Sequence, residues 1–393
     1  MSIRKTLDVI TELSNPNSGT KTLTAMTLQQ FIDSSKVTTN NSDEVQEAKI
    51  GGVNATPFKG AELDSYLDRI LDKKKEKQDK FQKPYIHAGN IPVVNDEGQK
   101  YDIAQLISAV SARPAKILKQ NEKMQHSDGT SSVFFNIGLP ALKGLAVDED
   151  KNELVIVDTC PGAGACKTYC YAMKGGYVQW KATSMSQSRI LNFLYNDPDG
   201  FFKQMSAEVS AALKKFGKKD TKVVIRWHDA GDFFSPQYLS LAFSLASSFP
   251  DVDFYAYTKL ADVAQAKKPD NFKINFSMGA VTAQEKRIDF QKIKHSKVIP
   301  RELFYDLVAK EDGKLKKDEK GRMQFSSPTD MQAFKARMSA KYSIDPKSIL
   351  TYDQLMSTPV SADKHKWNVI VMPGDGDDSA NRNDVLGSYL LFH

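Results

Sequence analysis

Between residues 222 and 276, three short apolar runs alternate with stretches of helical periodicity: KVVIRW at 222–227, VDFYAY at 252–257 and FKINF at 272–276. No other feature narrows the fold as much. A short apolar run bounded by polar residues reads as a buried strand, and strands spaced by helices mark βαβ units and a parallel sheet. The intervening segment 237–249 starts after Ser235-Pro236, an N-cap followed by proline at the first helical position. Its Leu239, Leu241, Ala242, Leu245 and Ala246 form an apolar side. The same reading gives strands at 153–158 (ELVIVD), 297–299 and 367–372 (WNVIVM), and helices at 183–196, 200–216 and 261–267. Right-handed crossovers would roll such a sheet into a partial or complete (β/α) barrel. The expected fold class is therefore α/β.

Around this core the pattern weakens. Residues 1–125 read as a polar, partly helical N-terminal extension with Ser/Thr/Asn clusters such as 38–42. Helices are expected at 62–80 and at 102–120, the second breaking near Pro114. The charge run at 73–77 suits a solvated helix face or a phosphate contact. The barrel core spans 126–300. Residues 301–360, highly charged between Lys310 and Arg322, read as a charged helical insertion. Residues 361–393 supply a C-terminal strand and helix that complete the core.

Composition excludes some classes. No run of about 18 apolar residues occurs, so no membrane-spanning helix is expected. The N-terminus has no apolar stretch of the secretory kind, which points to the cytoplasm, where thiols stay reduced. A net charge of +6 permits an anionic partner such as a nucleotide or nucleic acid without requiring one.

The chemistry concentrates in the cysteines. The chain of 393 residues has three, Cys160, Cys166 and Cys170, all in one short loop rich in Gly and Ala. An odd, clustered set argues against a disulfide framework and for a metal site. Small residues let the backbone wrap a ligand and point amides at sulfur. Three thiolates suit an iron–sulfur cluster with one open iron, or zinc with His228 as a fourth ligand; three unliganded thiols are the bland alternative. In a parallel sheet, sites form at the C-terminal strand ends. That rule gathers the cysteine loop, His228-Asp229-Ala230-Gly231-Asp232, Thr258-Lys259 and the loop with Asp375, Asp377 and Asp378 on one rim. By strand alternation Arg226 and His228 share a face. Gly231 allows close approach to a ligand, and Asp232 could hold an ammonium group. Lys259 suits a carboxylate or phosphate, or else solvent. The Asp375 loop suits a cation or hydroxyl, or else is a tight turn. Phosphate-loop, serine-hydrolase and zinc-protease signatures are absent.

Four stretches resemble the gene product 88 family of phages: TCPGAGACKTYCYA at 159–172, VIRWHDAGDFFSPQYL at 224–239, FYAYTK at 254–259 and DVLGSYLLFH at 384–393. That family looks like a divergent relative of the radical SAM enzymes. Both have a strand, a three-cysteine loop ending in aromatic-Cys (here Tyr169-Cys170), a helix, a second strand and a short Gly-acid segment (here Gly231-Asp232). The resemblance implies a [4Fe–4S] cluster on Cys160, Cys166 and Cys170. It also implies S-adenosylmethionine as a small-molecule cofactor held at Gly231 and Asp232; Tyr169, His228, Arg226, Lys259 and Asp375 are the further candidate contacts for cofactor or substrate. Reductive cleavage of that cofactor would modify a nucleotide or nucleic-acid-related substrate. The alternative is a non-catalytic iron–sulfur or zinc protein that binds nucleic acid or a host protein. The chain departs from the usual C-x3-C-x2-C spacing, having C-x5-C-x3-C, and Asp232 stands where a Glu is usual.

Overall fold

The computed structural model describes residues 49–81, 90–94, 99–120, 132–217, 221–319, 321–376 and 378–391. The polar cluster at 38–42 and Asp377 lie outside them. Along the chain, β1 (Ala55–Pro57), α1 (Gly60–Phe81) and α2 (Ile103–Ser111) precede β2 (Ser132–Ile137), β3 (Lys143–Asp148) and β4 (Glu153–Asp158). After the cysteine loop come α3 (Lys181–Asn196), α4 (Pro198–Phe216), β5 (Lys222–Trp227), α5 (Pro236–Ser248), β6 (Val252–Thr258), α6 (Ala261–Gln265), β7 (Phe272–Ser277) and β8 (His295–Ile299). The last third supplies β9 (Lys310–Glu311), β10 (Lys314–Leu315), α7 (Pro328–Tyr342), β11 (Ile349–Thr351), β12 (Trp367–Val371) and β13 (Val385–Leu391).

Eight of these strands form one all-parallel sheet in the order β11-β12-β13-β8-β7-β6-β5-β2. The α/β class holds, and the sheet is open, with β2 and β11 as its edges. One placement differs from expectation. β4, expected to lead into the cysteine loop from within the parallel sheet, pairs antiparallel with β1 and β3 in a separate sheet. It reads as a continuous apolar run because both its faces are covered: Val155 and Val157 join the main core, while Leu154 and Ile156 join a second core with Leu63, Ile70, Leu106 and Val110. β2 takes its place in the parallel sheet.

The insertion at 301–360 also does more than expected. It contains α7, and in addition the edge strand β11. Its Phe304, Phe334 and Met338 pack against Ile370 and Tyr389 of the sheet. The C-terminal segment supplies two strands around a short helix, Asp378–Asn381, and β13 lies between β8 and β12. Gly387 hides that strand from a reading by apolar alternation. Glycine serves there because a Cβ would sit 2.6 Å from Asn368 Oδ1 and 2.9 Å from His295 Nε2.

Alternation along the strands gives the large sheet two unlike faces. On one, Ile137, Val223, Ile225, Trp227, Phe254, Phe272, Ile274 and Phe276 pack beneath helices α4, α5 and α6 in the main core. Ser235 caps α5 by accepting from the Tyr238 N–H at 3.1 Å. The other face carries Asn136, Arg226, Tyr257, Lys273, Asn275, Ser277, Ser296 and Ser388, in register across β2, β5, β6, β7, β8 and β13. Its lower part is closed by residues 379–385. Asn275 Nδ2 donates to the Ala380 carbonyl at 3.2 Å, and Lys294 Nζ donates to the carbonyls of Ser379, Arg382 and Val385 at 3.3, 2.8 and 2.8 Å. Ala380 packs with Phe134, Val224 and Tyr255. The cysteine loop lies toward the other end, at the C-terminal strand ends.

Trp227 is fully buried, with ring contacts to Tyr238, Phe254 and Phe272. Trp227→Ala is expected to cost about 3–5 kcal/mol, read as a lower midpoint in urea unfolding. A loss below about 1 kcal/mol would mean that this cluster does not centre the core.

Candidate functional site

The cysteine loop leaves β4 and lies along the C-terminal rim of the large sheet, where a backbone seam holds it. Gly164 N–H and Cys166 N–H both donate to the Gly279 carbonyl at 3.0 Å, and Val281 N–H donates to the Gly162 carbonyl at 2.9 Å. Ala163 bridges Ala280 between them. Thr159, fully buried, donates its hydroxyl to the Pro140 carbonyl at 2.6 Å, and its own carbonyl accepts from Asp232 N–H at 2.8 Å. The loop's Gly/Ala content follows from this closeness. A Cβ on Gly162 would lie 2.6 Å from the Lys259 carbonyl oxygen, and one on Gly164 would collide with the Ala280 carbonyl. Gly279, at φ +89°, has the Tyr169 hydroxyl where a side chain would go.

This seam sets the surroundings of the thiols. Cys160 Sγ accepts from the Leu142 N–H at 3.3 Å. Burial pushes its pKa up to about 12, with the Asp232 carboxylate and the other two cysteines adding to the push. Cys170 packs among Ala141, Ala172, Ala230, Met173 and Tyr177. Burial raises it too, while the amides of Ala172 and Met173 and the Lys259 ammonium act the other way. The three thiols thus sense one another from one loop, and amides point at two of the sulfurs, as thiolate ligands of a cluster require. Among the described residues, no three His, Cys, Asp or Glu side chains converge to hold a single metal ion.

The other expected residues divide. Gly231 sits at φ +88° beside Leu139, where a Cβ would lie 2.7 Å from the Leu139 Cβ. Asp232 is only 2 % exposed, and its carboxylate accepts from Phe233 N–H, Thr258 Oγ1 and Lys259 N–H at 2.7, 2.8 and 2.7 Å. It ties the rim of β5 to that of β6. Lys259 Nζ continues the tie to β7, donating to Ser277 Oγ at 2.6 Å and to the carbonyls of Ser277 and Met278 at 3.1 Å. Tyr169 N–H donates to the Cys166 carbonyl at 3.2 Å.

Two residues fall elsewhere. Alternation would place His228 beside Arg226, but its φ of +73° ends the strand and turns the ring to the helix-covered side. There Nε2 lies 2.7 Å from Tyr238 Oη and the ring stands edge-on to Phe233, so it does not complete a ligand set with the thiols. Asp375 sits at the end of β12, three strands away from β7. Its carboxylate accepts from Met372 N–H at 2.7 Å, faces Arg322 at 3.6 Å and is pushed up to about 6 by burial.

The polar face adds further contacts around these residues. Arg226 lies over the Tyr257 ring, 5.1 Å from its centroid, and its Nη2 donates to Tyr171 Oη at 3.3 Å. Asp229 accepts from Asn136 Nδ2 at 2.8 Å and from Tyr177 Oη at 3.3 Å. Three buried atoms on this face, Asn136 Oδ1, Asn275 Oδ1 and Ser296 Oγ, have no protein hydrogen-bond partner among the described residues. Unsatisfied buried polar atoms are rare and call for a ligand or water. Polar positions alternating with apolar ones in β2, β5 and β7 are the signal that could have found this face. A shallow depression beside α4, lined by Arg113, Gln204 and Glu208, is different. Its polar groups bond one another or the backbone of Ile117 and Leu118.

Two measurements follow from these environments. In metal-free protein at pH 8, Cys160 should react slowest with a disulfide reagent, since little of it is thiolate. Gly164→Ala, which breaks the seam, should speed it; fastest reaction at Cys160 in the native chain would contradict the burial described. The second concerns pH. Burial lowers the folded pKa of His228 to about 3, well below its unfolded value, so between the two the unfolded chain binds more protons. Stability should therefore fall as pH drops below about 6.5, by up to about 1.4 kcal/mol per pH unit from this residue. His228→Asn, tolerant of positive φ, should flatten the decline. An unchanged slope in denaturant unfolding from pH 7 to 5 would rule His228 out as its source.

A family model described as gene product 88 matches residues 115–343. The Gene 88 protein of Mycobacterium phage D29 is 29% identical over 157 residues, covering 38% of this chain and 59% of that protein. The Gene 88 protein of Mycobacterium phage L5 is 28% identical over the same length and shares. The chain thus spans about 59% of the length of these relatives. No solved structure matches. No helix among the described residues is long and apolar enough to cross a membrane. The matched segment holds the cysteine loop, its seam with Gly279 and the polar face from β2 to β8, and the chain belongs to the gene product 88 family.

Proposed function

We propose that this chain is an iron–sulfur protein of radical-SAM-like type, with a [4Fe–4S] cluster on Cys160, Cys166 and Cys170 above the polar face of a half-barrel-like sheet. One observation carries the reading. All three cysteines of the chain lie on one loop sewn by backbone bonds to the C-terminal rim of the parallel sheet. A cluster suits the thiols better than zinc does. In a cluster each thiolate takes its own iron, so the sulfurs need not converge on one point. The buried Cys160 thiol also needs a strong positive partner to become a thiolate.

When bound, such a cluster with an open iron supplies one electron for reductive cleavage of S-adenosylmethionine, which can lead to hydrogen abstraction from a substrate. The residues of the chain supply placement. Leu142 N–H supports Cys160, and the Gly279 carbonyl holds the loop at Gly164 and Cys166. Gly231 would offer bare backbone to the methionine end of the cofactor, and Asp232 positions that backbone through its bonds to Thr258 and Lys259. Tyr169, Lys259 and Arg226 would be the further contacts. The substrate, a nucleotide or nucleic-acid-related molecule, would lie on the face with Asn136, Tyr257, Ser277 and Ser296. Asp375 and His228 have structural parts in this reading.

Protein purified without oxygen should carry about four iron and four sulfide per chain. Adding S-adenosylmethionine and a reductant should release methionine and 5′-deoxyadenosine. Each of Cys160→Ala, Cys166→Ala and Cys170→Ala should lose most of the iron. Zinc without iron would overturn the cluster. An intact cluster that yields no 5′-deoxyadenosine would leave a non-catalytic iron–sulfur protein.

A further inference from the structure

We infer that the surface around the cysteine loop binds single-stranded nucleic acid. The inference names the substrate class of the site proposed above and rests on that reading for its purpose. The binding itself needs no cluster.

The first observation is charge. Residues 159–196, the cysteine loop and the helix after it, contain Lys167, Lys174, Lys181 and Arg189 and no Asp or Glu. Lys167 and Lys174 are exposed. The carboxylates around the loop are bonded to protein donors: Asp158 to the Cys160 N–H, Asp232 to three donors, Asp229 to Asn136 and Tyr177, and Glu285 to the Gly279 N–H at 2.7 Å. A phosphate chain crossing the loop itself would meet lysines and no carboxylate of that stretch.

The second observation is aromatic. Tyr171 is 54% exposed and Trp180 58%, large fractions for such rings and both within this stretch. Tyr171 is braced on one edge by Tyr177, with centroids 5.6 Å apart, and its hydroxyl accepts from Arg226. A braced, exposed ring next to lysines is the stacking platform that proteins use for unpaired bases, sequence-tolerant because every base has a π-face. Exposed rings with lysines can also meet an anionic membrane. Here the other exposed residues between 161 and 176 are Pro161, Ala165, Thr168, Gly175 and Gly176, which offer little apolar surface to insert.

The third observation joins the two. Arg226 links Tyr171 to Tyr257, so the platform continues onto the polar face. A duplex presents neither a free π-face nor an unpaired edge, so a single strand fits.

The test uses the full chain without metal and a fluorescently labelled, mixed-sequence DNA single strand of about 12 nucleotides, within the usual site size of such surfaces. Anisotropy should show binding that quenches tryptophan fluorescence and weakens as salt rises. Trp180→Ala and Tyr171→Ala should each weaken binding by about tenfold, one base stack being lost. The pair Lys167→Ala and Lys174→Ala should lower the salt slope by about 1.4. Because all four side chains are exposed, circular dichroism should be unchanged. Equal affinity for duplex, unchanged affinity in both aromatic variants, or binding to phosphatidylserine vesicles but not to the oligonucleotide would each overturn the inference. Zinc or no metal in the purified protein, with strand binding intact, would sink the cluster and leave this surface standing.

Discussion

The rim of this protein depends on a buried carboxylate. Asp232 accepts from Phe233 N–H, Thr258 Oγ1 and Lys259 N–H, and its own N–H is bonded to Thr159 at the start of the cysteine loop. Burial pushes its pKa up and the donors oppose this. Removing them would leave an unpaired polar group in the interior, at a cost of several kcal/mol by order of magnitude, about 2–7. Through this one side chain the ends of β5 and β6 and the entry to the cysteine loop are fixed together. Lys259 passes the tie to β7, where Gly279 receives the loop's backbone. The thiols therefore stand on three strand ends at once rather than on a free loop.

The same arrangement explains why one face of the sheet is polar. Helices α4, α5 and α6 cover the other face and bury its aromatic and branched side chains. Residues 379–385 cover the lower end of the polar face, bonded to Lys294 and Asn275. The unsatisfied buried atoms of that face, Asn136 Oδ1 and Ser296 Oγ, are tolerable where a ligand or water completes them.

The helices and strands of the core were legible because each carried a local signal. Ser235-Pro236 marks a helix start, and the runs at 222–227, 252–257 and 272–276 have the length and apolarity of buried strands. β4 was legible as buried but not as antiparallel. A run apolar on both sides shows only that both faces are covered, and here two separate cores cover them. β13 was hidden by Gly387, whose reason is a neighbour's side chain. Among site residues, the cysteines, Gly231 and Lys259 came from motif and strand-end position. Asn136, Tyr257, Ser277 and Ser296 did not, because a polar residue in a strand has meaning only once the strand's neighbours are known.

The sequence by itself determined that the chain forms βαβ units, that its only three thiols share one small-residue loop, and that this loop lies near the strand ends. These are local facts of spacing, capping and composition. Tertiary structure alone decided how the parts meet. It turned His228 away from the rim through one positive φ, placed Asp375 three strands from β7, and made Asp232 a tie within the rim. Such outcomes depend on hydrogen-bond partners distant in sequence, and no local pattern encodes which donor a carboxylate will find. The cysteine loop was visible from the start; what it is sewn to, and the polar face of the sheet, emerged only when the strands were set side by side.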